Sequence, residues 1–135
     1  MRLAQATQRL DAARVFRTRW LPVFAYVALI FTLSAQPHLV SPLHFQNGDK
    51  VAHLCEYGVL GFLLVRAVRA SYPSHGVLAV ALRTLLLGLA IAAADEKFQA
   101  FIPGRESSVL DWFADSIGIT LAQIVFFAVA KDEEL

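Results

Sequence analysis

The sequence predicts an all-α, polytopic membrane protein: a four-transmembrane-helix bundle with both termini cytoplasmic. Three observations predict it. The chain of 135 residues is 57% hydrophobic and has a mean hydropathy of +0.55, more apolar than an ordinary water-soluble domain. It contains four apolar stretches long enough to cross a bilayer, and most of its Lys and Arg residues collect at one set of ends of these stretches.

The four apolar stretches each contain 16 to 22 residues, close to the roughly 20 that span a hydrocarbon core of about 30 Å. A soluble bundle of helices this apolar would have no polar face to present to water. The second stretch includes the single cysteine, Cys55, which its apolar neighbours predict to be buried and unreactive. The third is interrupted only by Arg83, which has to reach the interface or find a partner. The stretches are 20–35, 51–68, 77–94 and 109–130.

Three segments that contain proline and glycine separate these stretches, as is typical of loops and turns. They are residues 36–49, 69–76 and 95–108. The last of them contains Pro103-Gly104, a pair that favours a tight turn.

The distribution of Lys and Arg predicts the orientation, because these residues concentrate in cytoplasmic segments. Nine lie on the side of the two termini, namely Arg2, Arg9, Arg14, Arg17, Arg19, Arg66, Arg69, Arg83 and Lys131. Three lie on the other side: Lys50, Lys97 and Arg105. We therefore predict a multi-pass protein of the cell inner (cytoplasmic) membrane, with a basic cytoplasmic leader (1–19), a transmembrane domain (20–130) and a short cytoplasmic tail (131–135).

An alternative interpretation makes the first apolar stretch a cleaved signal peptide, since Leu33-Ser34-Ala35 resembles a processing site. The Arg-rich segment before it is long for such a peptide. Cleavage would leave three spans.

Acidic residues gather on the side predicted to be outside. The seven acids there are Asp49, Glu56, Asp95, Glu96, Glu106, Asp111 and Asp115, and three of the four histidines, His38, His44 and His53, accompany them. Asp49, His53, Glu56 and Tyr57 fall within about 100° on one helix face, and Asp111, Asp115 and Gly118 repeat the pattern in the fourth stretch. We therefore expect these side chains to converge in one pocket, with Lys50, Lys97, Arg105 and His53 as their cations.

Charged groups below the membrane surface are costly, about 2.5 to 3.5 kcal/mol each at the membrane centre, so these residues should face the bundle interior. Two interpretations of the cluster stay open. One is a ligand-binding or catalytic site. The other is a polar network that holds the helices together, together with solvated loop charge.

Two long motifs resemble the signatures of the VanZ-like family of small integral membrane proteins. The first is Asp49-Lys50-x-x-His53-x-x-x-Tyr57-x-x-x-Gly61, and the second is Asp95-Glu96-x-x-Gln99-x-Phe101-x-Pro103-Gly104-Arg105-x-x-Ser108-x-x-Asp111, continuing to Asp115 and Gly118. Ser34-Ala35-Gln36 is a weaker echo of the family's Ser-Ser-Gln. Two departures, Asp115 where Asn is common and the additional acid Glu56, make the cluster more negative, which argues against a purely anionic ligand held without a metal.

The resemblance implies a four-helix membrane domain and suggests a role in susceptibility to the glycopeptide teicoplanin, which the family's founding member lowers. Some relatives carry a phosphotransbutyrylase label. The chain has neither a phosphate-cradling glycine loop nor a nucleotide fingerprint to support that chemistry.

Three hypotheses for the function remain. In the first, the cluster binds a cell-envelope or lipid-linked ligand, such as a lipid-linked cell-wall intermediate, with Arg105 and Lys50 on its anionic group and Tyr57 and Trp112 on a sugar or isoprenoid. In the second, the protein is a membrane-embedded, metal-assisted hydrolase or transferase that uses Mg²⁺, Mn²⁺ or Zn²⁺, with Glu96 or Glu56 as base. In the third, it is a structural subunit of a membrane assembly, packed through its glycines.

The candidate ligand-binding residues are Asp49, Lys50, His53, Tyr57, Asp95, Glu96, Gln99, Arg105, Ser108, Asp111 and Asp115. The candidate metal ligands are Asp49, His53, Asp95, Asp111 and Asp115. A divalent metal is the candidate cofactor, and membrane lipid and a second copy of the chain are candidate partners. The net charge of only +1 argues against nucleic acid. We also expect Arg105 to pair with Asp95, Glu96, Asp111 or Asp115, because one guanidinium can bridge two carboxylates.

The predicted orientation can be tested with single cysteines at Gln46 and Ser107, each in a Cys55→Ala background. Both should react with a membrane-impermeant thiol reagent added from outside intact cells, because their loops lie opposite the basic ends. Labelling of either position from the cytoplasm alone would reverse the orientation.

Overall fold

A computed structural model describes residues 11–37, 45–105 and 107–132. Within these residues the chain forms four long helices and no strand. We name them α1 (Asp11–Ser34), α2 (Gly48–Ser71), α3 (Val77–Gln99) and α4 (Val109–Asp132). Each is long and apolar enough to cross a membrane. The predicted all-α, four-span architecture is confirmed.

The helices contain the predicted stretches, with two larger extensions: α1 begins well before residue 20, and α3 continues to Gln99, so that residues 95–99 of the predicted loop are helical. Residues Phe16–Trp20 of α1 form a π-helical turn, within which the Thr18 hydroxyl donates a hydrogen bond to the Arg14 carbonyl 2.8 Å away. Pro22 lies two residues after the end of this turn and has no N–H to donate into an α-helical ladder. Residues 11–19, the described part of the predicted leader, are helical. The predictions for residues 1–10, His38, His44, Glu106 and residues 133–135 lie outside the described residues.

The helices pack around α2, which lies mainly against α4 and also contacts α1 and α3. The apolar core between them contains Ile30 of α1, Tyr57, Leu60 and Leu64 of α2, and Ile119 of α4. Aliphatic side chains also cover much of the outer surface, as expected where lipid replaces water.

Glycines allow α2 and α4 to approach closely. A Cβ atom added at Gly118 would collide with the backbone carbonyl of Leu54 and lie 2.9 Å from the backbone nitrogen of Gly58. A Cβ added at Gly61 would lie 2.7 Å from the Cα of Ile119. Small residues have this role in membrane helix pairs, because the hydrophobic effect does not drive helices together in lipid and close packing of the backbones has to do so.

At the opposite end from the acidic cluster, residues 72–76 join α2 to α3 in a short turn. Arg83 stacks over the Tyr72 ring, with 4.8 Å between its guanidinium carbon and the ring centroid. Its guanidinium also donates a hydrogen bond to the Ala79 carbonyl. The arginine that interrupts the third apolar stretch thus finds partners at its own end of the bundle.

The expectation that Cys55 is buried is wrong, because its side chain is exposed. Position 55 is two residues from the fully buried Tyr57, and two residues turn an α-helix by about 200°. An apolar sequence context does not distinguish the inside of a membrane bundle from its lipid-facing surface.

We predict that Gly118→Ala lowers the stability of the protein in detergent by about 1 to 3 kcal/mol, because the added methyl must push α2 and α4 apart. The matched control is Gly58→Ala, whose Cβ would have its nearest neighbour at an ordinary 3.8 Å. Thermal unfolding in detergent measures both variants. Equal tolerance of the two substitutions would show that the α2–α4 approach is not tight.

Candidate functional site

The polar cluster lies where the first turns of α2 and α4 meet the last turns of α3. Its rim is formed by Lys50, whose ammonium lies 2.8 Å from a carboxylate oxygen of Asp49 and 2.8 Å from one of Asp111. This lysine joins the N-terminal turns of α2 and α4. Asp49 is half exposed and Asp111 is buried, so the pairing with Asp111 is the better shielded of the two.

One turn deeper, His53 of α2 faces Asp115 of α4, with 3.0 Å between the ring Nδ1 and a carboxylate oxygen. Asp115 is fully buried. Glu96 of α3 completes this level, and ligand atoms of His53, Glu96 and Asp115 all lie within 4.8 Å of one another. We call these three residues the His-acid triad. His53 follows Asp49 by four residues on α2, and Asp115 follows Asp111 by four residues on α4. Each helix therefore presents its rim residue and its triad residue on one face.

The floor of the cluster is formed around Asp95, which is almost fully buried on α3. One of its carboxylate oxygens accepts hydrogen bonds from the Tyr57 hydroxyl at 3.3 Å and from the Gln99 amide at 3.0 Å. The Gln99 amide also donates to the Ser34 hydroxyl of α1, 3.3 Å away. Hydrogen bonds to Asp95 and Gln99 therefore connect three helices at one point.

The loop between α3 and α4 holds Glu96 in place. One Glu96 carboxylate oxygen accepts a hydrogen bond from the Ser108 backbone N–H at 2.8 Å and another from the Ser107 hydroxyl at 3.2 Å. The Ser108 hydroxyl in turn accepts from the Leu110 N–H, which makes Ser108 the N-cap of α4. Gly104, with φ at 78°, supplies the left-handed residue of the turn that returns the chain to this position.

Three buried carboxylate oxygens in this cluster have no hydrogen-bond partner among the described residues. They are Asp95 Oδ1, Glu96 Oε1 and Asp115 Oδ2. An unsatisfied buried carboxylate oxygen is costly, and natural proteins rarely leave several together without a ligand or ion.

The charge balance of the cluster is negative. Among the described residues at this end of the bundle, six acids (Asp49, Glu56, Asp95, Glu96, Asp111 and Asp115) accompany three permanent cations, Lys50, Arg105 and the exposed Lys97. The N-termini of α2 and α4 add partial positive charge, since Asp49 and Asp111 lie in their first turns. Even with a protonated His53, negative charge exceeds positive charge, which favours a bound cation.

The structure brings the predicted residues together at one end of the bundle, in the rim, the His-acid triad and the floor. Of the candidate metal ligands, His53 and Asp115 lie in the triad, whereas Asp49 and Asp111 are paired with Lys50 and Asp95 lies outside the triad. The third member of the triad is Glu96, which was expected as a ligand-binding residue or base. The predicted cation Lys97 is exposed, one position round the helix from buried Glu96.

The expected pairing of Arg105 with an acid is wrong. Its guanidinium instead donates a 2.8 Å hydrogen bond to the Gln99 side-chain carbonyl, and it forms no ion pair within the described part of the chain. The turn at Pro103-Gly104 is closed by a hydrogen bond from the Arg105 N–H to the Ile102 carbonyl at 3.1 Å, and it returns Arg105 to the end of α3, which is formed by Gln99. Arg105 therefore acts on Asp95 through the Gln99 amide.

The expectation that Tyr57 presents a surface to a sugar or isoprenoid is also wrong. The ring is fully buried, and its hydroxyl is used by Asp95. Trp112 is partly buried in the core, and its indole N–H donates to the Leu89 carbonyl at 3.3 Å.

Ser34 and Ser107 hold site residues, although neither was among the predicted site residues. Ser34 lies in the Ser-Ala-Gln echo at the end of α1, and that motif could have indicated it. Ser107 has no such signal, because its contact with Glu96 depends on the path of the loop.

Comparison with known proteins matches residues 3–130 to one protein family, described as VanZ/LLP1. The matched range includes all four apolar helices and every residue of the polar cluster. No curated protein and no solved structure matches the chain.

We predict that Tyr57→Phe lowers the stability of the protein by about 1 to 3 kcal/mol, because the buried Asp95 carboxylate loses a hydrogen-bond donor. Tyr72→Phe is the control, since that ring is exposed at the other end of the bundle. Thermal unfolding in detergent compares them. An unchanged midpoint for Tyr57→Phe would mean that this hydroxyl does not stabilise Asp95.

Proposed function

The chain belongs to the VanZ/LLP1 family and is a multi-pass membrane protein, and we propose that its polar cluster binds a divalent cation. Through that cation it would hold the anionic group of a cell-envelope or lipid-linked ligand. We further propose that it does so from the inner (cytoplasmic) membrane, with the cluster facing outward.

The unpartnered oxygens of Glu96 and Asp115 carry this proposal. Both acids are buried and belong to the His-acid triad, in which His53 supplies a ring nitrogen. A donor set of one imidazole and two carboxylates suits Zn²⁺ or Mn²⁺ better than Mg²⁺, which prefers oxygen ligands and retains water. A divalent ion would satisfy both orphaned oxygens and offset the excess of negative charge.

The ligand class follows from the surroundings of the triad. Six acids would repel an anionic group unless a cation lay between them; with a cation bound, the anionic group would also be attracted by Lys50, which bonds Asp111, and by Arg105, which bonds Gln99. The cluster lies within the ends of apolar helices, so a ligand with a hydrocarbon tail could bring its head group there from the bilayer. A lipid-linked cell-wall intermediate has both an anionic group and a hydrocarbon tail.

A second candidate function is metal-assisted hydrolysis or group transfer at the same site. Three protein ligands leave at least one coordination position open, as in catalytic rather than structural zinc sites. Glu56, which lies on α2 three residues after His53 and outside the triad, would serve as the base. Asp95 Oδ1 is another buried oxygen without a partner among the described residues. Turnover of a lipid phosphate ester by metal-loaded protein would favour this candidate over binding alone.

We predict that purified protein, dialysed against Zn²⁺ or Mn²⁺, retains about one ion per chain, as measured by plasma mass spectrometry. Glu96→Gln and Asp115→Asn should each weaken retention about tenfold or more, because each removes a ligand. The control Asp49→Asn changes an acid of the rim that lies outside the His-acid triad, the metal-binding group found among the described residues, and it should retain the ion.

Failure of the parent protein to retain an ion would refute the metal proposal and favour a structural subunit. Lipid mass spectrometry of the same preparations tests the ligand class, since a phosphate-bearing lipid should copurify with the parent and be depleted from Asp115→Asn. The family resemblance extends the proposal to glycopeptide susceptibility, for which the readout is the teicoplanin sensitivity of cells that express the parent or Asp115→Asn.

A further inference from the structure

A second charged site lies at the other end of the bundle, in a groove of about 530 Å³ between α1 and α2. Its lining includes three arginines, Arg14 and Arg19 of α1 and Arg66 of α2, and one acid, Asp11. Arg66 lies 13 residues from His53 along α2, about 20 Å at 1.5 Å per residue. The groove is therefore separate from the His-acid triad.

The arginines of this groove differ from their neighbours in having few protein partners. Arg69 donates to the His75 carbonyl at 2.8 Å, and Arg83 is held by Tyr72 and Ala79. By contrast, Arg14, Arg19 and Arg66 donate no side-chain hydrogen bond and form no ion pair among the described residues, and the one stacking contact in this group is Arg66 over the Phe62 ring, at 5.9 Å. Three guanidinium groups share one concave space with a single acid, Asp11, among its described lining residues, and this excess of positive charge suits an anion with several oxygens.

The shape of the groove depends on the irregular turn of α1. Thr18 and Arg19 lie in the π-helical turn, and π turns are often found at functional sites. On α2, Ala70 lies one turn after Arg66, and its small side chain leaves room beside the guanidinium.

The surroundings favour a lipid over a soluble anion. Phe16 (51% exposed), Leu21 (53%) and Phe24 (54%) present apolar surface along the same part of α1, where acyl chains would lie. Trp20, at the end of the π turn, donates its indole N–H to the Ser71 hydroxyl at 2.8 Å, an arrangement typical of the membrane interface. We propose that this groove binds the phosphate head group of an anionic phospholipid, in the leaflet opposite the one that contains the polar cluster.

The test is titration of the full-length protein in detergent with dioleoylphosphatidylglycerol or dioleoylphosphatidylcholine, followed by native mass spectrometry. The parent should bind the phosphatidylglycerol at least about tenfold more tightly than the phosphatidylcholine. Arg14→Gln/Arg66→Gln should remove most of that preference. The matched control Arg17→Gln/Arg69→Gln removes one arginine from each of the same two helices outside the groove and should lower binding by about twofold or less.

Two further measurements test whether binding depends on positive charge in the groove and whether the ligand is a lipid or free phosphate. Asp11→Asn should strengthen binding of the anionic lipid, because Asp11 is the one acid among the described residues that line the groove. Inorganic phosphate at millimolar concentration should not displace the lipid. Equal losses in the two double variants would mean a diffuse field rather than a site, and displacement by phosphate would mean a soluble anion. Either result, or no preference in the parent, overturns the proposal.

Discussion

The close approach of α2 and α4 is the constraint on which the rest of the structure depends. Gly118 lies against the backbone of Leu54 and Gly58, so the two helices are in backbone contact one turn beyond the His53–Asp115 pair. The same contact sets the separation that Lys50 bridges to Asp111. A larger residue at the contact would lengthen each of these distances, and ion pairs and hydrogen bonds weaken steeply as they lengthen.

Backbone contact between helices also explains how so many acids coexist in a membrane bundle. The N-termini of α2 and α4 are brought side by side, so their partial positive charges act on the same group of carboxylates. Backbone and hydroxyl donors of the loop satisfy one oxygen of Glu96, and Tyr57 and Gln99 satisfy one oxygen of Asp95. The other oxygens of Glu96 and Asp95 and one oxygen of Asp115 stay buried without a hydrogen-bond partner among the described residues.

The helices and the composition of the cluster were predictable, because hydrophobic length and the i, i+4 spacing of Asp49, His53 and Tyr57 are local properties of the chain. The choice of partners was not. Arg105 meets Gln99 rather than an acid because the turn at Gly104 decides where its side chain arrives. Glu96 joins the triad because of how α3 packs, and the exposure of Cys55 depends on whether lipid or protein covers that face.

Ser108 has two tasks, since its hydroxyl caps α4 while its backbone N–H binds Glu96. Fraying of the first turn of α4 and release of Glu96 are therefore a single opening event rather than two. Local opening of this kind has its own free energy, smaller than that of global unfolding. Hydrogen exchange at the Leu110 amide, which Ser108 protects, would report how often the site rearranges while the rest of the bundle stays folded.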